Sequence, residues 1–207
     1  MMPADTVRRE HWDRVYTTKA ETELGWYQPR PDVSLALITA NAPDRATPVI
    51  DIGGGASTLA LHLLADGYID ITVLDISEAA IALARAHAGD SPDAHFIVAD
   101  MTAWIPDRRW AVWHDRAAFH FLTDAPRQDA YVTALTAATE TGSVAILATF
   151  ALDGPEKCSG LPVQRYSPES LAARLGPAFD LVEGSGEDHR TPGGTVQRFT
   201  WTVLRRH

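Results

Sequence analysis

Val49-Ile50-Asp51-Ile52-Gly53-Gly54-Gly55-Ala56-Ser57 decides the fold: a short apolar run passes directly into three glycines and then into an Ala/Leu-rich stretch. Apolar residues on both faces suit a strand covered by helices on each side, and glycine lets the chain take positive φ and lets a ligand lie against bare backbone. Working outward, the same rhythm repeats. Strands are expected at 49–52, 69–74, 95–99, 110–114 and 143–150. Helices are expected between them: 58–66 before Gly67, 78–88 between Ser77 and Gly89, and 125–139 after Asp124. Ser167-Pro168-Glu169-Ser170 reads as a cap with proline at the first helical position. Two last strands, 178–183 and 196–204, have no helix between them and should pair antiparallel. The expected class is α/β: a Rossmann-like, doubly wound, seven-stranded and mostly parallel sheet with an antiparallel C-terminal strand.

Acids follow the next two strands. Asp75 lies 22 positions after Gly53, close to the spacing at which such folds hold both ribose hydroxyls of an adenosine. Asp100 ends the third strand, where it can reach an adenine amino group while Ile76 or Met101 packs on the ring. The dinucleotide pattern G-x-G-x-x-G fails, because its last position is Thr58. Asp51 beside the glycines would repel a pyrophosphate but suits a ligand with an ammonium and a sulfonium, as in S-adenosylmethionine. An NAD-dependent oxidoreductase is thereby the weaker reading.

Composition narrows the rest. The 207 residues are 45% hydrophobic and 22% charged, with a net charge of −9, which argues against nucleic acid as partner. No window is apolar enough for a membrane span, and the N-terminus lacks the apolar region of an export signal, so no membrane partner and a cytoplasmic location are expected. One cysteine, Cys158, excludes an intrachain disulfide and any thiolate cluster, and no ligand spacing suggests a metal.

Over roughly residues 45–204 the chain resembles the class I S-adenosylmethionine-dependent methyltransferases. Asp51, Gly53, Gly54, Gly55 and Ser57 look like their first motif, with Gly54 where many members carry cysteine. The resemblance implies cofactor contacts from Asp75, Ile76, Ser77, Asp100 and Met101, and a substrate mouth lined near His114-Asp115-Arg116. His11-Trp12-Asp13-Arg14-Val15-Tyr16 and Trp26-Tyr27-Gln28-Pro29 extend the likeness to the thiopurine, thiol and tellurite methyltransferase-like branch, in which an N-terminal tryptophan segment folds over the cofactor. It implies one methyltransferase domain over residues 1–207, with 1–44 as flap and helix and 45–207 as the Rossmann-like core. Protein-lysine methyltransferases share a comparable pattern, so a protein lysine stands beside a small thiol, metalloid or amine as acceptor. S-adenosylhomocysteine would be the product.

Several residues have two readings. Trp26 and Tyr27 would cover the sulfonium by cation–π attraction, or anchor the N-terminal segment to the core. His114, Asp115 and His120 are the candidates for taking a proton from an amine acceptor, and His114 also for touching cofactor. His120, between Phe119 and Phe121, also fits a wall residue with a satisfied ring. Arg116 would anchor an anionic acceptor or pair with an acid. Tyr27, Phe119, His120 and Arg165 complete the expected acceptor pocket, and Cys158 reads as an incidental loop thiol.

Overall fold

In the computed structural model, which describes residues 4–207, the sheet is built outward from β1 (Val49–Ile52), every residue of which is buried. Parallel strands β2 (Ile71–Asp75) and β3 (Ala94–Val98) lie to one side of it. To the other side lie β4 (Val112–Arg116) and β5 (Val144–Phe150), also parallel. A two-residue hairpin, β6 (Lys157–Cys158) with β7 (Leu161–Pro162), stands apart. The long ribbon β8 (Phe179–Arg190) and β9 (Val196–Arg206) finishes the sheet in the order β3-β2-β1-β4-β5-β9-β8. β9 runs antiparallel to both of its neighbours, as expected from the sequence.

Alternation along the strands makes two cores. Val49, Val73, Val112 and Ile146 face the side covered by α2 (Asp32–Asn41), α3 (Leu59–Ala65) and α4 (Glu78–Ala88). Ile50, Leu74, Trp113 and Leu147 face α5 (Ala125–Ala138) and α6 (Pro168–Leu175). The strand order reverses between β1 and β4, so a crevice opens at their carboxyl ends.

Three details differ from the sequence reading. β4 ends at Arg116 rather than at residue 114, which places Asp115 inside the strand. β8 continues through the polar stretch to Arg190, because Glu187 and His189 pair across to Phe199 and Gln197. The N-terminal segment begins with a regular helix, α1 (Ala4–Thr18), laid against α4. Asp13 on α1 accepts from Ser77 Oγ at 2.6 Å and from the Ala79 N–H at 3.4 Å, adding a carboxylate to the α4 N-terminus. Further along, Glu21 pairs with His87 at 2.9 Å, the Gly25 carbonyl meets His189 Nε2 at 2.8 Å, and Gln28 donates to Glu187 at 2.9 Å. No helix among the described residues is long and apolar enough to cross a membrane.

Candidate active site

The crevice divides into two connected spaces. The larger is lined by Arg8, Trp12, Tyr16 and Trp26 from the N-terminal segment, by Gly53, Asp75, Ile76, Asp100 and Met101 at the strand ends, and by Arg116, Ala117, Ala118, Phe121, Leu122 and Cys158. The smaller lies beneath Trp26 and Tyr27, beside Ser34, Asp51, Gly53, Gly54, Ser57 and His114. Trp26, Gly53 and Arg116 border both.

The glycine loop is shaped as its composition requires. Gly53 has φ of 64° and Gly55 φ of 48°. A Cβ on Gly53 would fall 2.5 Å from that of Ala118, and one on Gly55 2.5 Å from the Tyr16 hydroxyl and 3.0 Å from Asp75 Oδ2. The loop therefore presents main chain where an adenosyl compound would lie, a cradle that side chains would fill. Asp75 accepts from the Ser77 N–H at 2.8 Å, and its burial, with Asp51 and Asp13 nearby, pushes its pKa up to about 7. Such a carboxyl is short of donors and positive charge, which ribose hydroxyls and a sulfonium provide. Asp100 is bound by the Thr102 N–H and hydroxyl through Oδ1 and by Arg8 through Oδ2 at 2.5 Å, contacts that hold its pKa low despite partial burial. Ser77 itself caps α4, accepting from Ala80 N–H at 3.1 Å, and Ser57 Oγ accepts from Leu59 N–H at 3.1 Å.

The residues expected around the acceptor behave differently. A strand points neighbours to opposite faces, so His114 and Asp115 cannot share one mouth. His114 turns to the α2 side, its Nδ1 2.7 Å from Asp51 and its Nε2 3.0 Å from Ser34 Oγ. Asp115 turns to the α5 side and accepts from the Ala118 and Phe119 N–H groups and from the Tyr131 hydroxyl at 2.6 Å. Burial raises its pKa to about 6, yet every partner is structural: it holds the turn after β4, where Ala117 has φ of 68°. His120 is fully buried between Phe121 and Phe150, and its pKa is pushed down to about 3 by burial and by Arg116. Phe119 packs on Tyr131 and Tyr166 in the core. Arg165 donates to the Gly154 carbonyl at 3.0 Å and pairs with Glu156. His120, Phe119 and Arg165 thus line neither space, and the Asp115 carboxylate is bound within the turn.

Arg116, also expected there, borders both spaces. One guanidinium nitrogen donates to the Trp26 carbonyl at 3.0 Å, and the group lies over the Phe199 ring at 4.9 Å. Nε and Nη2 are buried with no hydrogen-bond partner. Cys158 lines the same space, its thiol pushed up to about 12 by burial. Sequence reasoning missed the direct roles of Arg8 and Tyr16; their spacing with Trp12, four residues apart along a helix, was the available signal.

Residues 49–142 match the family model described as a methyltransferase domain. An eEF1A lysine and N-terminal methyltransferase homolog from Drosophila pseudoobscura pseudoobscura is 28% identical over 127 residues, 59% of this chain, and the chain spans 19% of that protein's length. Among solved structures, a protein studied in the conversion of a disulfide bond into a thioacetal group during echinomycin biosynthesis superposes with TM-score 0.75 at 25% identity, over 96% of this chain and 92% of that one. A SAM-dependent methyltransferase from Anabaena variabilis does so with TM-score 0.75 at 12% identity, over 100% and 96%. The glycopeptide N-methyltransferase MtfA bound to S-adenosylmethionine gives TM-score 0.66 at 15%, over 89% and 97%. The methyltransferase-domain match runs through the glycine loop and both acid-bearing strand ends, and the fold is that of class I methyltransferases. Residues 49–142 thus carry the likeness to a methyltransferase domain, and the whole chain has the fold of S-adenosylmethionine-dependent methyltransferases.

Proposed function

We propose that the enzyme methylates a small acceptor that reaches the site as an anion, a thiolate or a comparable chalcogen anion, and needs no protein base. The observation that carries this reading is Arg116: a buried guanidinium with two unpartnered nitrogens that lines the larger space together with Trp12, Trp26, Phe121, Leu122 and Cys158. The three candidate bases near it are engaged elsewhere, His114 with Asp51 and Ser34, Asp115 in its turn, and His120 in the core. An amine acceptor would arrive protonated and meet a cation, with His114, Asp115 and His120 all engaged elsewhere. The solved neighbour associated with a disulfide-to-thioacetal conversion supports sulfur as the atom methylated.

In this reading Gly53, Gly54, Gly55, Ser57, Asp51, Asp75, Ile76, Ser77, Asp100 and Met101 hold the cofactor, with Trp26 over it, and bound S-adenosylmethionine supplies a methyl group on a sulfonium. Arg116 favours the ionised form of an acceptor thiol, and the aromatic walls strip water from it. The thiolate lone pair forms the new carbon–sulfur bond as the old one breaks, leaving a thioether and S-adenosylhomocysteine. Alignment is then the main contribution of the protein, with effective molarities of about 10⁵ M or more available from it. Residues 1–44 serve as the cover and 45–207 as the catalytic core of one domain, in the cytoplasm.

The curated relative favours a second reading, a protein lysine or N-terminal amine as acceptor. Incubation with methyl-labelled cofactor, a panel of thiols, selenide, tellurite and amines, and separately with cell extract, distinguishes them. Label in small thioethers is expected. Label confined to protein bands would replace the thiolate reading with the amine one.

A further inference from the structure

The smaller space contains a chain of buried polar groups that the methyl chemistry does not use. Asp51 is the third residue of β1, His114 stands beside it on β4, and Ser34 reaches them from α2; all three side chains are buried. Asp51 Oδ1 and His114 Nδ1 are 2.7 Å apart, and His114 Nε2 and Ser34 Oγ 3.0 Å apart. A carboxylate only accepts, so Nδ1 carries the proton, and the Ser34 hydroxyl meets Nε2. Trp201 fixes the imidazole from the side, 6.0 Å between ring centroids.

The other carboxylate oxygen is aimed elsewhere. Asp51 Oδ2 lies against the glycine loop, 2.5 Å from where a Gly54 Cβ would be built, and Val73 is 2.8 Å from the same point. Gly54 does not have positive φ, so it is glycine here for room and not for backbone conformation. The side chain that would otherwise stand at position 54 is excluded by this orientation of Asp51. Asp51, Gly54, Ser34 and His114 all border the smaller space.

Resting on the cofactor assignment above, we propose that Ser34, His114 and Asp51 form a positioning relay: His114, set by Ser34, holds Asp51 turned under Gly54 so that its second oxygen faces the amino-acid tail of the cofactor. His114 and Ser34 act through Asp51 and touch no reacting atom. Because Ser34 belongs to α2, the relay also ties the grip on that tail to the seating of the N-terminal segment. A ligand lacking the tail does not engage the relay.

That difference gives the test. Binding of S-adenosylhomocysteine and of 5′-methylthioadenosine, which has the nucleoside but no amino-acid tail, is measured by calorimetry on the full chain for wild type, Ser34→Ala, His114→Phe and His114→Gln, with thermal melts alongside. The expected result is a loss of about tenfold or more for S-adenosylhomocysteine in His114→Phe, a smaller loss in Ser34→Ala, and partial recovery in His114→Gln, with 5′-methylthioadenosine binding held near wild type throughout. Ser34→Ala carries the test should His114→Phe fail to fold. Equal losses for both nucleosides, or none for either, would overturn the relay while leaving the cofactor assignment in place. Failure of the wild-type chain to bind either nucleoside would overturn both.

Discussion

The carboxyl ends of β1 to β3 and those of β4 and β5 form two halves of one crevice, and their polar residues are used in opposite ways. On the first half the acids stay at the surface of the crevice, each steadied by nearby donors: Asp75 by the Ser77 N–H, Asp100 by Thr102. On the second half the polar side chains turn inward and serve the fold. Asp115 braces a turn, His114 braces Asp51, and His120 is walled by aromatic rings. Arg116 keeps two guanidinium nitrogens unpartnered there, so in the proposed reading the nucleoside half recognises by several fixed donors and acceptors and the acceptor half chiefly by one charge.

The contrast breaks if Asp115 proves to be chemical rather than structural. Asp115→Ala removes a buried carboxylate and leaves its three donors, the Ala118 and Phe119 N–H groups and the Tyr131 hydroxyl, without it, and should cost about 3 kcal/mol of folding stability in urea titration, with little change in cofactor affinity for the folded fraction. Asp75→Ala should do the reverse. It should weaken S-adenosylhomocysteine binding by about 1.5–3 kcal/mol in calorimetry, without lowering the melting temperature at pH 8. Arg116→Gln should lower kcat/KM for thiols by about 2 kcal/mol, measured with labelled cofactor, because it removes a charge-assisted contact.

Protons sharpen the comparison further. Asp75 goes from 3.8 in the unfolded chain to about 7 in the fold, so between those values the folded chain holds more protons. Its contribution to stability therefore declines as pH rises through that window. Cofactor binding favours the ionised form, so affinity should fall by up to about tenfold per unit below pH 7, and calorimetry near pH 6.5 in buffers of different ionisation enthalpy should detect proton release. The smallest effect belongs to His120: since its Nε2 has no partner, His120→Phe should change stability by less than about 1.5 kcal/mol and leave turnover intact.

Much of the first half was legible because its chemistry is local. Strand, glycines and acid are contiguous in sequence, and helix caps at Ser77, Asp124 and Ser167 stand where their side chains accept from the chain three residues on. The acceptor half was not legible for a physical reason. Whether His114 or Asp115 faces a mouth depends on strand register, and a strand ending at residue 116 instead of 114 changes what its last side chains meet. His120 and Phe119 sit on a single helical turn whose direction is set by packing against Tyr131, Phe150 and Tyr166. α1 was hidden because its first half is highly charged, and the groups that satisfy Arg8 and Asp13 lie far along the chain, at Asp100 and Ser77.

The hydrogen bond from Arg116 to the Trp26 carbonyl has a kinetic consequence. In the proposed reading, the wall beside the reacting pair and the cation that attracts the nucleophile are joined by it, so any displacement of the Trp26 main chain would also displace that charge. Turnover should follow an ordered queue, nucleoside first and nucleophile second, with the indole as gatekeeper.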